Sequence, residues 1–452
     1  MSNPPAGIAD LASIARRKEQ RAWYFYDWAN SAYVTTVTTV LFGPFLIPIA
    51  EQAAVDNRVS VLGFLPVAPG ALPAYIITFS TILSALLLPP LGALVDRTRY
   101  KKQLLGVFAW IGAAFASLLF FTTGDNWQLG AVAVIGANLA FGASVVVNDS
   151  ILCLISTEEE RDRVSSRGWA FGYLGGGLLL VVNLATVVLH DQLGITEELA
   201  ARISMLSAAL WWAGFTLIPF LKLRNYEPTH VVPEEGSVVR QSFGQLWTTL
   251  KEMRNYPVTL TFLLAYLFFN DGIQTVISQS SVYGAEELGF GTTVLIATIL
   301  LVQFVGVAGA LVFGKAAERY GGRPVILVGI GVWMLIVTAA LFLPAGRIAP
   351  FLILAVAIGL VLGGTQALAR SYFSLLIPRG REAEYFSFYH AMERGTSWFG
   401  TLTFGLVYQL TDSYRPAIFA LIVFFVIGGA LLLKVDTARG IREAGNTPPS
   451  VV

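Results

Sequence analysis

Two short segments, Gly92-Ala-Leu-Val-Asp96-Arg97 and Gly314-Lys-Ala-Ala-Glu318-Arg319, decide the fold of this sequence. The spacing from glycine to acid to arginine is the same in both, and each copy follows the second apolar stretch of its half of the chain. Glycine lets two helices approach closely, and an acid at a helix end can bind the N-terminus of a neighbouring helix. The pattern predicts an internal repeat in which each half carries one such segment, called its latch segment, that keeps neighbouring helix ends together in the closed state. Such loops can also serve merely to anchor the topology. The gating candidates in the two copies are Gly92, Asp96, Arg97, Gly314, Glu318 and Arg319.

The composition places the chain in a membrane. Of its 452 residues, 55% are hydrophobic and 13% are charged, against roughly 45–50% and about 25% in soluble domains. The mean hydropathy is +0.65. A net charge of +1 gives no global excess for binding nucleic acid. We therefore expect the lipid bilayer to be the main solvent, with no nucleic-acid partner.

Apolar stretches of sufficient length recur along the whole chain. A helix that crosses a bilayer needs about 20 mainly apolar residues, because its backbone polar groups must be satisfied internally. The sequence predicts an all-α polytopic membrane protein with twelve transmembrane helices in two six-helix bundles. The predicted spans are 22–48, 71–94, 103–123, 127–152, 168–190, 202–221, 257–282, 292–314, 324–344, 349–376, 388–410 and 416–434. The expected domains are an N-terminal bundle (1–221), a central loop (222–256), and a C-terminal bundle with a short tail (257–452).

The basic residues indicate the orientation. With the N-terminus inside, nearly all Lys and Arg clusters fall on one side of the predicted membrane, which predicts that both termini are cytoplasmic. Apolar residues from Phe243 to Met253 recur at helical spacing, so the central loop is expected to hold an amphipathic helix, on the membrane surface or packed on the bundle. The N-terminus is polar and predicts no cleaved signal peptide. We expect a cytoplasmic (inner or plasma) membrane, with an organelle membrane as the alternative.

Several long motifs resemble a known family. The repeated loop is similar to the major facilitator superfamily signature Gly-x-x-x-Asp-Arg-x-Gly-Arg-Lys, which the second copy matches through Gly321 and from which the first departs at Arg99. Three further blocks resemble the vacuole effluxer-like (autophagy-related) branch. They are Tyr26-Asp-Trp-Ala-Asn-Ser-Ala-Tyr33, Asn270-Asp271-Gly-Ile-Gln274-Thr and Gly363-Gly-Thr-Gln366-Ala-Leu-Ala-Arg370-Ser. The resemblance implies secondary transport, and for fungal relatives it implies amino-acid export from the vacuole.

Polar residues inside the spans are functional candidates, because a charge in a bilayer costs at least about 2.5 kcal/mol unless it faces a partner or a cavity. Asp271 and Gln274 repeat the spacing of Asp27 and Asn30, although Asp27 lies nearer a predicted boundary and also suits a structural ion pair. Arg370 can hold a carboxylate from substrate or from Asp27, Asp149 or Glu393, or it can extend to the interface. The substrate-binding or coupling candidates are Tyr26, Asp27, Asn30, Tyr33, Asn270, Asp271, Gln274, Gln366 and Arg370. Asp149, Glu393 and Arg394, together with His390, are candidates for an inner gating network.

These features favour a secondary active transporter that works by alternating access as a monomer. The expected substrates are amino acids or similar small polar solutes, with protons as a candidate coupling ion. The alternatives are an exporter of drugs or other small metabolites and a non-transporting membrane sensor. An enzyme is not expected, because the three histidines form no metal pair and no Gly-x-Ser-x-Gly elbow is present. The single Cys153 predicts no intramolecular disulfide, and we expect no cofactor or metal.

Overall fold

The computed structural model describes residues 6–61, 63–227, 251–395 and 398–451, and within them helices dominate. Eleven segments of this part of the chain are long and apolar enough to cross a membrane. The predicted eleventh span (388–410) corresponds to two helices, Glu382–Gly395 and Trp398–Thr411. Residues 396 and 397, between them, lie outside the described residues. Residues 228–250, where the amphipathic helix was expected, also lie outside them.

Seven α-helices form the first half of the chain, with shorter helical segments at some of their ends. They are α1 (Ala6–Tyr33), α2 (Phe42–Gln52), α3 (Leu72–Asp96), α4 (Lys101–Ser117), α5 (Trp127–Ile155), α6 (Arg161–Val188) and α7 (Glu197–Lys222).

Short segments of other helix types occur in both halves of the described chain. The 3₁₀ segments are Pro69–Ala71, Leu118–Phe121, Glu158–Glu160 and Met253–Asn255, and the π-helical segments are Val34–Leu41 and Tyr283–Glu287.

The described residues of the second half contain nine α-helices. They are α8 (Pro257–Val282), α9 (Thr292–Tyr320), α10 (Gly322–Ala340), α11 (Ile348–Leu375), α12 (Glu382–Gly395), α13 (Trp398–Thr411), α14 (Tyr414–Ala420), α15 (Ile422–Leu433) and α16 (Thr437–Glu443).

The first span is continuous through a π-helical segment, Val34–Leu41, that joins α1 to α2. This segment reads Val-Thr-Thr-Val-Thr-Thr-Val-Leu, and its threonine hydroxyls compete for backbone carbonyls. Thr38 Oγ1 donates to Val34 O at 2.7 Å, and Thr39 Oγ1 donates to the same oxygen at 3.0 Å. A wider turn accommodates these additional bonds, so the span changes its helical pitch without ending.

A small antiparallel hairpin, which was not predicted, follows the first span. Strand β1 (Val59–Val61) pairs with β2 (Leu65–Val67), with Val59 opposite Val67. Gly63 lies in the connection at a φ of 81°, a conformation that glycine adopts without steric cost. Only three residues form each strand, which is too little alternation to recognise within a mainly apolar chain.

The described residues divide into two compact units. One contains the described residues of Met1–Leu88, Tyr100–Asn148 and Leu174–Tyr226, and its core includes fully buried Trp23, Tyr33 and Trp212. The Tyr33 and Trp212 rings stack with their centroids 5.2 Å apart. In this unit aromatic side chains fill the space between α1, α5 and α7.

The other unit contains the described residues of Pro89–Arg99, Asp149–Tyr173 and Glu227–Val452. Trp333 and Phe425 stack in its core at 5.8 Å with nearly parallel planes. The unit boundaries fall inside α3, α5 and α6, so each of these helices contributes to both units. The second unit thus includes two segments from the first half of the sequence.

The distribution of apolar surface is that of a membrane protein. Large apolar side chains are exposed along the spans, and carboxylates, amides and guanidinium groups are buried. Exposed examples are Phe79 (55%), Leu86 (64%), Val182 (59%), Leu210 (61%) and Leu335 (68%). A soluble monomer rarely exposes so much contiguous apolar surface, whereas lipid-facing helices must do so.

Candidate functional site

Four ionisable side chains of the second unit form a network, of which three are buried and Glu393 is partly exposed. Nη1 of Arg370, on α11, lies 3.2 Å from Oδ1 of Asp149, on α5. His390 on α12 contacts the other Asp149 oxygen through Nε2 at 2.9 Å and Glu393 Oε2 through Nδ1 at 2.9 Å. Asp149 is 1% exposed and Arg370 is 4% exposed, so Arg370 does not extend to an interface. Asp149 and Glu393, two of the predicted gating residues, thus meet around His390, while the side chain of Arg394 lies outside the described residues.

Two residues that sequence reasoning missed orient Arg370. Arg370 Nε donates to Ser165 Oγ and Nη2 donates to Ser165 O, both at 3.0 Å. The guanidinium also lies 5.4 Å from the centroid of the Trp169 ring, within cation–π range. Ser165 and Trp169 are four residues apart on α6 and therefore share one helix face. That spacing is the signal that could have identified them, but their target lies about 200 residues away in sequence.

The same face of α6 makes a row of three hydrogen bonds with α11, called the polar ladder below. Arg161 Nη1 donates to Ser374 O at 2.8 Å, and Ser165 Oγ donates to Ala367 O at 2.7 Å. Between these bonds, Ser371 Oγ donates to an Asp162 carboxylate oxygen. Interhelical hydrogen bonds in membrane proteins are worth about 0.6 kcal/mol each on average. The ladder therefore sets the register of the two helices more than it adds to stability.

Asp271 on α8 binds the first turn of α13. The amide of Gly400 donates to Asp271 Oδ2 at 2.9 Å, while Oδ1 has no hydrogen-bond partner among the described residues. Asp271 is 1% exposed. The N-terminal amides of a helix have no partner within the helix, and a carboxylate there is favoured electrostatically. Asp271 is thus a helix-capping carboxylate.

Glycine packing gives a structural counterpart to Asp271 in the other unit. A Cβ on Gly400 would clash with Thr275 Oγ1 and lie 3.3 Å from Asp271 O, and a Cβ on Gly176 would meet Thr35 Oγ1 and Ser31 O. Gly400 therefore packs against Asp271 and Thr275, and Gly176 packs against Ser31 and Thr35, each pair being four residues apart in sequence. If the two glycines are taken as equivalent, Asp271 corresponds to Ser31, which lies one turn beyond Asp27. The sequence pattern had instead aligned Asp271 with Asp27.

Two other predicted residues of the second half meet across helices. Gln366 Nε2 on α11 donates to Asn270 Oδ1 on α8 at 2.8 Å, and both side chains are buried. Gln274, one turn from Asn270, is half-buried. Asn270 and Asp271 are adjacent in sequence, so their side chains leave α8 in different directions, toward α11 and α13 respectively.

Two of the first-half candidates, Asp27 and Tyr33, make hydrogen bonds within their own unit. Asn148 Nδ2 donates to Asp27 Oδ1 at 3.3 Å. Tyr33 OH donates to Asn138 Oδ1 at 2.9 Å, and Asn138 Nδ2 continues to Ser80 Oγ at 3.1 Å. Tyr26 and Asn30 are buried as well. The structure therefore links α1, α3 and α5 through amide side chains, and Asn138 and Ser80 had not been predicted.

The first latch segment contacts the N-terminus of α12. Asp96 Oδ1 accepts from the amide of Ala383 at 2.9 Å, and Oδ2 accepts from the amide of Glu384 at 2.8 Å. A Cβ on Gly92 would clash with Ala383 O and Ser387, so only glycine permits this approach. Asp96 caps a neighbouring helix in the way the sequence led us to expect.

The second latch segment differs. Gly314 packs against Ser166 on α6, as its small size predicts, but Glu318 is exposed and accepts no hydrogen bond from a helix terminus among the described residues. Arg319 is exposed beside Tyr320, whereas Arg97 is half-buried. Gly321 has a φ of 86° and ends α9. The two copies therefore share the glycine contact but not the capping carboxylate.

This asymmetry makes a prediction with an internal control. Asp96→Ala should lower the free energy of unfolding by about 1–2 kcal/mol, because two buried amides lose their acceptor. Glu318→Ala, at the equivalent position, should change it by less than about 0.5 kcal/mol. Thermal unfolding and amide hydrogen exchange of residues 382–388 measure both variants. Equal losses, or unchanged exchange in Asp96→Ala, would refute the capping role.

Comparisons with known proteins agree with this architecture. The sequence matches the model of the family described as vacuole effluxer Atg22 like over residues 15–445. It is 32% identical over 436 residues to the uncharacterized MFS-type transporter YxiO of Bacillus subtilis, covering 96% of this chain and 98% of that protein. Autophagy-related protein 22 of Kluyveromyces lactis is 25% identical over 490 residues, covering 97% and 98% of the two chains.

A solved structure supports the fold separately. The proton:xylose symporter XylE, a major facilitator superfamily protein, superposes with a TM-score of 0.68 at 12% identity over 93% of this chain and 96% of that one. This likeness confirms the twelve-helix, two-bundle fold, and the relatives are transporters rather than enzymes. The chain is therefore an integral membrane transporter of the major facilitator superfamily, and it belongs to the vacuole effluxer Atg22-like family.

Proposed function

We propose that this transporter moves amino acids or similar small zwitterions, and that Arg370 binds the substrate carboxylate. The observation that carries the proposal is that Arg370 is buried and binds a carboxylate, with its Nη1 3.2 Å from Asp149 Oδ1. A guanidinium binds carboxylates strongly, so a substrate carboxylate can exchange with Asp149 at Nη1 while Ser165 keeps the guanidinium in place. Asn270 and Gln366 supply amide groups that suit a polar solute.

Alternating access would then require two sets of contacts to break. The Arg370–Asp149–His390 network and the capping of α12 by Asp96 both lie at helix ends predicted to be cytoplasmic. We propose that they hold the cytoplasmic end closed and open when substrate takes the place of Asp149. In this scheme the bundles 1–221 and 257–452 are the moving bodies, and the segment 222–256 joins them.

Proton coupling is proposed to involve Asp271. Among the described residues its buried Oδ1 has no hydrogen-bond partner, and the other oxygen caps α13 through Gly400. Protonation would remove the charge that favours a helix N-terminus, and would thereby loosen α13 from α8. Binding of a proton is in this way connected to movement of a helix.

The basic residues also bear on the location of the protein. The segregation of Lys and Arg supports cytoplasmic termini, and we propose a cytoplasmic membrane as the location and a monomer as the functional form. An organelle membrane is the alternative suggested by the family description of vacuole effluxers.

A ligand panel on the purified protein tests the substrate class. An amino acid at about 100 times its Kd should stabilise the folded protein by about 2.7 kcal/mol. The corresponding amine, which lacks the carboxylate, should give no shift, and neither should the amino acid with Arg370→Met. Stabilisation by sugars or cationic drugs instead would overturn the substrate class and favour an exporter of those compounds. Stabilisation by amino acids without any flux would indicate a sensor.

A further inference from the structure

Both ring nitrogens of His390 face carboxylates. Nε2 lies 2.9 Å from Asp149 Oδ2, and Nδ1 lies 2.9 Å from Glu393 Oε2. The ring is buried, with 7% of the residue exposed. The two carboxylates come from different helices, α5 and α12, so His390 bridges them.

This geometry implies a protonation state. A neutral imidazole carries one N–H and presents a lone pair at its other nitrogen, whereas an imidazolium donates from both. An ionised carboxylate only accepts hydrogen bonds. If the ring were neutral, one of the two contacts would set a lone pair against a carboxylate oxygen in a buried site. With both carboxylates ionised, the two contacts are hydrogen bonds only when His390 carries two protons.

The groups around His390 favour that positive charge. Arg370 shares Asp149 with it, so the network contains two cations and two anions and is neutral when the ring is protonated. Tyr389 lies edge-on to the ring at 5.2 Å, and Tyr266 of α8 stacks on Tyr389 at 4.0 Å. Arginine does not lose its proton in proteins. His390 is therefore the cation of this network that can lose its charge near neutral pH once the two carboxylates move away from it.

We propose that His390 is a second proton-binding site of the transport cycle, distinct from Asp271. The closed network holds His390 as an imidazolium. When the network opens, one ring N–H gives its proton to water, and the ring keeps the other. The remaining Arg370, Asp149 and Glu393 then carry a net negative charge, which disfavours reclosing until a proton returns. The idea rests on the proposed transport function, but the ring's protonation can be measured without transport.

The chain allows a direct test because it contains only three histidines. In a His190→Gln, His230→Gln background, His390 is the only histidine, and nitrogen NMR of ¹⁵N-histidine-labelled protein reports its protonation. At about pH 7.5, where an exposed histidine is mostly neutral, we expect both ring nitrogens to be protonated. Asp149→Asn in the same background should give a neutral ring at that pH. A neutral ring in the parent protein, or an imidazolium unaffected by Asp149→Asn, would overturn the proposal.

Flux separates this inference from the proposed function. Labelled alanine is the probe, with wild-type protein and His390→Gln in sealed vesicles. Uptake by His390→Gln that, at whatever rate it occurs, no longer responds to an imposed pH gradient supports the inference. Uptake with an unchanged pH response contradicts it while leaving amino-acid transport intact. Absence of alanine uptake by the wild-type protein counts against the proposed function, and the NMR result then decides the protonation of His390.

Discussion

Asp149→Ala should lower the free energy of unfolding by about 3–5 kcal/mol, the largest stability effect we expect from a single substitution in the network. The reason is that Arg370 and His390 both lose a carboxylate partner at a site where Arg370 is 4% exposed. A buried charge that loses its partner retains its full desolvation penalty. Unfolding of the purified protein in detergent measures the loss.

The matched control is another arginine–carboxylate pair of the same unit. Arg415 Nε lies 2.7 Å from Glu287 Oε1, but the two side chains are 30% and 19% exposed. Solvent screens such a pair, but Glu287 Oε2 also accepts a hydrogen bond from the amide of Tyr414 at 3.1 Å, so Glu287→Ala should cost about 1–2 kcal/mol. Combining Asp149→Leu with Arg370→Met should recover much of the loss, since an apolar pair needs no charge compensation. Equal losses in the two alanine variants would contradict the burial argument.

Asp271→Asn should abolish proton-driven accumulation of substrate while leaving the fold intact, the largest functional effect we expect. The asparagine carbonyl can still accept the hydrogen bond from the Gly400 amide, so the free energy of unfolding should change by less than about 1 kcal/mol. What the variant lacks is the ability to gain and lose a proton. Uptake of the stabilising amino acid under an imposed pH gradient measures the effect.

The comparison variant is Asp271→Ala, which also removes the acceptor. It should lose about 1–2 kcal/mol of stability in addition to proton-driven accumulation, because the first turn of α13 loses its cap. If Asp271→Asn accumulates substrate with the same pH dependence as the wild-type protein, Asp271 is not a coupling group.

The spans were predictable from sequence because each is a local property of about 20 residues. The predicted span 257–282 coincides with α8 (Pro257–Val282), and 349–376 differs from α11 (Ile348–Leu375) by one residue at each end. Proline at the first position of α8 and the segment Pro378-Arg379-Gly380 shortly after α11 mark those ends. In contrast, α1 begins well before residue 22, because a polar stretch can be helical outside the apolar core of the membrane.

The partners of the site residues were harder to predict, because they are distant in sequence. The repeat identified Asp96 and Glu318 as equivalent, yet Asp96 caps α12 whereas Glu318 is exposed. Nothing in either segment reveals which one meets a helix end. Ser165 and Gly400 were missed for the same reason, since a buried serine and a glycine carry no signal until their neighbours are known. The sequence motifs therefore indicated candidate residues, and the helix packing determined what each one touches.

Substrate movement across a sealed membrane tests the central claim most directly. Purified protein should be reconstituted into vesicles with an imposed pH gradient, and labelled amino acid should be followed with and without a protonophore. We predict accumulation above the level in protein-free vesicles, its collapse on addition of the protonophore, and its absence in Arg370→Met. Uptake no greater than in protein-free vesicles, across the amino acids that stabilise the protein, would contradict the account.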